Sequence, residues 1–459
     1  MRRVATSALW VALAACKRDE PDAVVSDDTP VADDLPSPTS TCPADALPAT
    51  SALWSTQVDF DWSWSAERSL SYAAPVYVRL PDGELDADEV VSWALTVDAG
   101  EAETAFARVW VDGKVVVDVD RAGAFEASRR SLRRSGRLEG GDTWDTWWDT
   151  FPDSFDSYWD SAWDSSDTGW VDTEPGWGVW PLYHLPDVAS TLVLPMAPEV
   201  NVRGGCLAVV PAATEDLSGR RGRLHVAARA GDLTAPTLRM NVVVVDGAGI
   251  APRELELAVE SMRALYAAGG APALEVAVFD LAWGGPALFN FTEDLYDLRA
   301  SEIEGALSGA LNMFVIQDFV GSSGTIGIAA GIPGATGVQR TAGSGVVVTV
   351  DGHRRFDGTV DPDALGGTMA HEAGHQLGLF HTSESSGQSF DVLRDTLECP
   401  LAEYDRDGDG TVWAGECRKA DGRNFMFWTE GGTRFDQREI TEDQVWVLNH
   451  AAWLHEGGE

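Results

Sequence analysis

An all-β, sandwich-like domain followed by an α/β (α+β) domain is the fold class that this sequence predicts. Three observations carry it. Between residues 58 and 117, apolar side chains alternate with polar ones at the period of a half-buried strand, and Asp-Gly pairs mark turns. From about residue 238 the pattern changes to strand, helix, strand, which places helices against a sheet. The length of 459 residues, 44% of them hydrophobic and 23% charged, exceeds what one compact core accommodates, so two globular domains with linkers are expected.

Taken in order, residues 1–15 read as an export signal: Arg2 and Arg3 supply a positive start, residues 4–11 are largely apolar, and Leu13-Ala14-Ala15-Cys16 follows. That tetrapeptide resembles the bacterial lipobox, in which the cysteine is diacylated and becomes the new N-terminus. An ordinary signal peptide with an incidental cysteine is the alternative. The apolar run is too short to span a bilayer, so lipid on Cys16 would be the membrane anchor. Lys17, with no aspartate at that position, points to the outer membrane or cell surface of an exported bacterial lipoprotein.

The cysteines agree with this reading. Five are odd for an exported chain, and setting Cys16 aside leaves an even set, Cys42, Cys206, Cys399 and Cys417. Pairing by region joins Cys42 to Cys206 and Cys399 to Cys417; free buried thiols are the alternative.

Residues 16–43 are rich in Asp, Pro, Ser and Thr and poor in large apolar groups, the composition of a flexible tether. The all-β domain is expected over 44–235, with strands in 58–64, 74–80, 108–117, 191–195 and 205–210. It is interrupted at about 138–178 by a low-complexity insert of Asp, Ser, Thr and aromatic residues. Eight of the nineteen tryptophans fall between Trp144 and Trp180, so the insert is either an aromatic, acidic contact surface or a loosely ordered insertion. A formal net charge of −40 excludes nucleic acid as a partner and suits a chain that collects divalent cations.

In the second domain, 236–459, strands are expected at 239–246, 274–281, 313–316, 326–331 and 345–350. A helix is expected over 252–268, with Leu255, Val259, Met262 and Tyr266 on one side. Another starts at Asp361-Pro362, an N-cap and first-turn pair.

That last helix carries the chemistry. His371-Glu372-Ala373-Gly374-His375 continues through Gln376-Leu377-Gly378-Leu379-Phe380-His381, giving H-E-x-x-H-x-x-G-x-x-H. Residues four apart share a helix face about 6 Å apart, so His371 and His375 can meet one zinc ion. Gly378 tolerates the positive φ that ends the helix and returns the chain so that His381 becomes a third ligand. Glu372 is placed to take a proton from water rather than to bind metal, and zinc lowers the pKa of that water from about 15.7 to about 7.

With these residues the chain resembles the metzincin metalloproteases, whose signature is this motif followed by a methionine turn. The matching methionine is Met426, in Asn424-Phe425-Met426-Phe427-Trp428. Within that clan, His381-Thr382, the segment 391–399 and Asn424-Phe425-Met426 look most like the pappalysin and cytophagalysin group. The resemblance covers residues 238–459 and is specific from His371 to Trp428. It implies a mixed five-stranded sheet over the active-site helix and an apolar floor at Met426. Several members carry a tyrosine where this chain has Trp428, whose indole donates one hydrogen bond and cannot ligate zinc.

Between zinc helix and methionine turn lies Asp405-Arg406-Asp407-Gly408-Asp409-Gly410-Thr411, ending at Glu416. Carboxylates stand at positions one, three, five and twelve, with Gly410 sixth and Thr411 seventh, the spacing of an EF-hand calcium loop. Pro400 opposes a long entering helix and Cys399 and Cys417 bracket the segment, so an isolated loop stapled by a disulfide is expected. An acidic surface turn is the alternative.

The function expected is that of a zinc endopeptidase acting on extracellular or envelope proteins. A non-catalytic surface adhesin with a vestigial protease core, or a zinc hydrolase of a non-peptide amide, stands as the alternative. Residues 17–235 are either a propeptide or a permanent accessory domain.

Overall fold

Strand periodicity in the first half of the chain resolves into two sheets. The computed structural model describes residues 47–48, 53–66, 70–79, 91–100, 102–111, 114–118, 187–195, 197–198 and 206–457, except 286–287, 291–292, 321–323 and 430–436. The expected export signal, the tether with Cys16 and Cys42, and the tryptophan-rich insert lie outside the described residues.

The larger sheet has eight strands: β1 (Leu47–Pro48), β3 (Ser63–Ser65), β4 (Leu70–Tyr72), β5 (Val76–Arg79), β7 (Glu103–Val111), β8 (Lys114–Asp118), β9 (Asp187–Val188) and β11 (Cys206–Ala213). The smaller has four, β2 (Leu53–Asp61), β6 (Val91–Asp98), β10 (Thr191–Leu194) and β12 (Arg221–Ala230), in the antiparallel order β10-β6-β12-β2. One core joins them. Trp93, Leu95, Val97, Leu192, Leu194, Leu224 and Val226 of the small sheet pack with Val78, Phe106, Val109, Leu207 and Val209 of the large one. Each such side chain contributes roughly 1.5–3 kcal/mol when fully buried.

The expected strands at 58–64 and 108–117 are each divided in two, the first at Trp62 between β2 and β3, the second between β7 and β8. The segment at 205–210 does not complete the domain, because β12 follows it. Neither β6 nor β12 was anticipated. Strand β6 is buried at every position but its last, although Val91, Trp93, Leu95 and Val97 alternate with Ser92, Ala94 and Thr96, because its sheet is covered on both faces.

The α/β sheet follows without a break. β13 (Pro236–Val245), helix α1 (Pro252–Gly269) and β14 (Ala273–Leu281) form a parallel crossover unit. After helix α2 (Glu293–Arg299) come β16 (Leu311–Ile316), β18 (Gly327–Ala329) and β19 (Val346–Thr349), in the order β14-β13-β16-β19-β18, with β18 antiparallel to β19. Where five strands were expected the sheet has six: β20 (His455–Glu456) pairs with Pro236 and Thr237 at the start of β13. A pair of two-residue strands, β15 (Leu288–Phe289) and β17 (Asp318–Phe319), stands apart.

Helix α3 (Pro362–Gln376) packs against both this sheet and α1, with Leu365, Met369, Ala370 and Ala373 in one core with Leu255, Ala258, Val259 and Met262. A Cβ on Gly366 would fall 2.4 Å from the Ala258 carbonyl oxygen, so the glycine permits the close crossing of α1 and α3. Two further helices among the described residues are α4 (Leu401–Tyr404) and α5 (Glu442–Asn449). The described residues belong to one compact unit. None of their helices is long and apolar enough to cross a membrane.

Candidate metal centre

Helix α3 is a weak helix by composition, because Gly366, Gly367 and Gly374 each cost about 1 kcal/mol relative to alanine. Its start is reinforced. The Asp361 carboxylate accepts from the amides of Asp363 (3.1 Å) and Ala364 (3.4 Å), and Pro362 pre-sets the first turn. Burial of most of its length does the rest. The helix ends at Gln376, and Gly378 turns the chain with φ +108°, a conformation that disfavours side chains with a Cβ.

This turn brings the three histidines together. His381 Nε2 lies 3.1 Å from His371 Nε2 and 3.0 Å from His375 Nε2. On each ring the other nitrogen is committed as a donor: His371 Nδ1–H to the Phe425 carbonyl (2.7 Å), His375 Nδ1–H to the Leu379 carbonyl (2.7 Å), and His381 Nδ1–H to both oxygens of Glu384 (3.0 Å each). A neutral ring with its proton on Nδ1 leaves Nε2 as a lone-pair donor, and the three Nε2 atoms face one point. Three acceptors facing one another repel unless a cation stands among them. The donor set therefore fits a divalent metal such as zinc. Burial, with His381 alongside, holds His371 down to about 3, and His375 lies well below the usual histidine range for the same reason. Both stay neutral, as ligation requires.

Glu372 projects from the same helix but does not join the cluster. It packs against the edge strand β18, where a Cβ on Gly327 would fall 2.5 Å from its Oε1, and the Ala329 amide donates to its carboxylate. Burial raises its pKa to about 8, against the opposing pull of Arg299 and of the Ala329 amide. A cation at the histidines would lower it again.

Beneath the histidines lies Met426, fully buried. A Cβ on Gly374 would fall 2.6 Å from its Sδ, so the small residue within the His-Glu-Ala-Gly-His run is what lets the methionine sit under the helix. The turn is held by Met426 N–H to Asn424 Oδ1 (2.8 Å), by Thr382 N–H to the Met426 carbonyl (3.0 Å), and by a reciprocal amide pair between Asn424 and Gln444 of α5 (2.9 and 3.0 Å). Trp428 turns elsewhere: its indole N–H donates to the Val412 carbonyl at 2.7 Å. Its one donor is thereby spent on the acidic loop.

In that loop Asp405, Asp407 and Glu416 come together, each offering an oxygen within 4.8 Å of the others. Asp409 instead accepts from the Trp413 indole (3.0 Å) and from the Thr411 amide (2.8 Å). A small core of Cys399, Val412, Ala414, Cys417, Ala420 and Phe427 lies below. Cys399 and Cys417 form a disulfide, with Cα atoms 5.6 Å apart. Cys206 is disulfide-bonded too, while its expected partner Cys42 lies outside the described residues. The short α4 begins directly after Pro400, in keeping with the absence of a long entering helix.

Sequence reading missed Glu384, because a single carboxylate three residues after the last histidine matches no spacing rule. It also missed the Ala329 amide and Arg299 beside Glu372, which come from distant elements. Asp421, likewise unforeseen, is buried and pushed up to about 6 by that burial while accepting from the Ser383 hydroxyl at 2.6 Å.

No family model matches the chain, and no curated protein does. Among solved structures, metalloproteinase-II from Bacteroides fragilis shows a remote likeness, with 16% identity and a TM-score of 0.26 over 35% of this chain and 47% of that one. The match spans under half the length of that protein, and so remote a likeness supports no functional conclusion.

Proposed function

We propose that this chain is a zinc-dependent endopeptidase of the metzincin type. The observation that carries the reading is the convergence of the Nε2 atoms of His371, His375 and His381, with Glu372 next in sequence to the first and not among them. These histidines would hold the metal, and Glu384 would orient His381 and strengthen it as a ligand. Zinc bound there supplies a Lewis acid that polarises a carbonyl and acidifies water. Glu372 accepts the proton released and returns it to the leaving amine; burial raises its pKa and the charge of a bound metal draws it back down, which leaves the carboxylate free to accept a proton. Strand β18 supports a peptide substrate: it is an end strand of its sheet, and Glu372 packs on it, so an extended chain can add along it within reach of the proton acceptor.

A quenched-peptide panel run beside non-peptide amides, on wild type and Glu372→Ala, tests this. Cleavage of peptides by wild type, lost in the variant, supports it; equal rates in both, or turnover of the amides alone, contradicts it.

The same proposal extends to calcium in the loop of Asp405, Asp407, Asp409, Thr411 and Glu416, and to export with lipid on Cys16. For the latter, mass analysis of the N-terminal peptide from the native host reads the acyl chains directly. An unmodified peptide from fully soluble protein excludes the anchor.

A further inference from the structure

We infer that the all-β domain is a permanent wall of the metal centre and not a removable segment, with Val193 as a positioning residue that holds the Gly378 turn. This rests on the zinc reading of the three histidines.

The four-stranded sheet is covered on both faces. Its inward side chains, among them Trp93, Leu95, Leu192, Leu194 and Val226, fill the sandwich core. Side chains one residue out of phase project the other way. These are Ala94, Ala227 and Val193, and they pack against Ala335, Val338, Ala452 and Trp453 of the α/β domain. Small residues on the sheet allow the large indole to approach closely, so this face is fitted to one particular neighbour.

Val193 reaches the turn between His375 and His381. A Cβ on Gly378 would stand 3.2 Å from Val193 Cγ2 and 3.9 Å from Pro333 Cβ, so the turn that carries the chain from His375 to His381 is seated against those two side chains. The segment after Pro333 continues the support. Gly334 N–H and Thr336 Oγ1 both donate to the Gln376 carbonyl at the end of α3, at 3.1 and 3.3 Å, while Ala335 and Val338 of the same segment lean on the β sheet. The helix terminus and the histidine turn are thus both backed by the all-β domain.

The connection between the domains is pinned as well. Arg229, 1% exposed at the end of β12, donates to the carbonyls of Gly231 and, at 3.0 Å, of Asn449 at the end of α5. The Thr234 and Ala235 amides donate to Glu456 at 3.1 and 3.0 Å, and β20 pairs with the residues that follow. Removal of everything before residue 236 would uncover an apolar face and leave the Asn449 and Glu456 acceptors without these donors. That loss is what a permanent domain avoids.

The test uses the full chain with a site-specific protease sequence inserted at Gly231-Asp232. After cutting, the two fragments are expected to elute together in gel filtration. Separation of the fragments, with the C-terminal one retaining wild-type zinc affinity in chelator competition, overturns the inference. Co-elution is read without any metal, so it decides the docking even if the zinc reading fails. In the uncut chain, Val193→Asp is expected to weaken zinc binding roughly tenfold, the effect of losing a ligand's support. Val193→Thr, which keeps the shape, restores most of it. Leu224→Ala, which opens the sandwich core alone, lowers the melting point and leaves zinc affinity unchanged. Equal zinc affinity in Val193→Asp and wild type, both folded by circular dichroism, contradicts the positioning role; if Val193→Asp does not fold, the cut chain decides.

Discussion

His381 Nδ1 sits 3.0 Å from both carboxylate oxygens of Glu384, and this contact fixes which nitrogen His381 turns toward His371 and His375. A histidine on a turn has more rotational freedom than one on a helix, so its orientation has to come from a neighbour. Glu384→Ala is therefore expected to weaken zinc binding by about 10- to 100-fold. Chelator competition on the folded variant measures it, and unchanged affinity would show that His381 needs no such partner.

Gly374 makes a second, structural prediction. With its hypothetical Cβ 2.6 Å from Met426 Sδ, Gly374→Ala gains helix propensity yet overpacks the floor. A net loss of about 1–3 kcal/mol in urea unfolding is expected. A stabilised variant would mean that the methionine moves aside freely.

Much of the α/β domain was legible because its signals are local. Periodicity located β13, α1 and β14 within a few residues, and the Asp361-Pro362 pair marked the start of α3. The histidine set was legible because helix geometry and one glycine suffice to bring it together. Strands β6 and β12 were missed although they alternate as well, with Val91, Trp93, Leu95 and Val97 on one face of β6 and Leu224, Val226 and Ala228 on one face of β12; what no local pattern shows is that the small residues opposite are covered by the other domain. Glu384 and Ala329 escaped for a related reason: a single carboxylate or backbone amide acquires meaning only when the fold delivers it.

His353 predicts a pH dependence. Its Nδ1–H donates to the Thr349 carbonyl (2.6 Å) and its Nε2 accepts from the Thr368 hydroxyl of α3 (2.8 Å), so only the neutral ring fits. Burial lowers its pKa from 6.5 to about 4. The unfolded chain takes up the proton first as the pH falls. The stabilisation is complete above about 6.5 and is lost progressively toward 4, to a limit of roughly 3 kcal/mol. His371 and His375 act in the same direction, so the measurement is a comparison. In the metal-free protein, His353→Gln should show a flatter decline in stability between pH 6.5 and 4.5 than wild type. Parallel curves would rule out the histidine as the cause.

The acidic loop predicts a response to calcium. Asp405, Asp407 and Glu416 crowd together, and the loop is tied to the methionine turn through Val412 and Trp428. With zinc held saturating, calcium is expected to raise the unfolding midpoint of wild type and to do so far less in Asp407→Ala. A rise equal in both, or absent in wild type, would remove this loop as the site.

The central claim is that His371, His375 and His381 hold one catalytic zinc, and zinc stoichiometry with X-ray absorption tests it most directly. Purified wild type is expected to carry about one zinc per chain in a shell of three imidazole nitrogens and one further light atom. His375→Ala should lose the metal together with peptidase activity, while Glu372→Ala keeps the metal and loses turnover by about 10²- to 10⁴-fold. Wild type that binds no zinc, or His375→Ala that binds it in the same three-imidazole shell, would contradict the account.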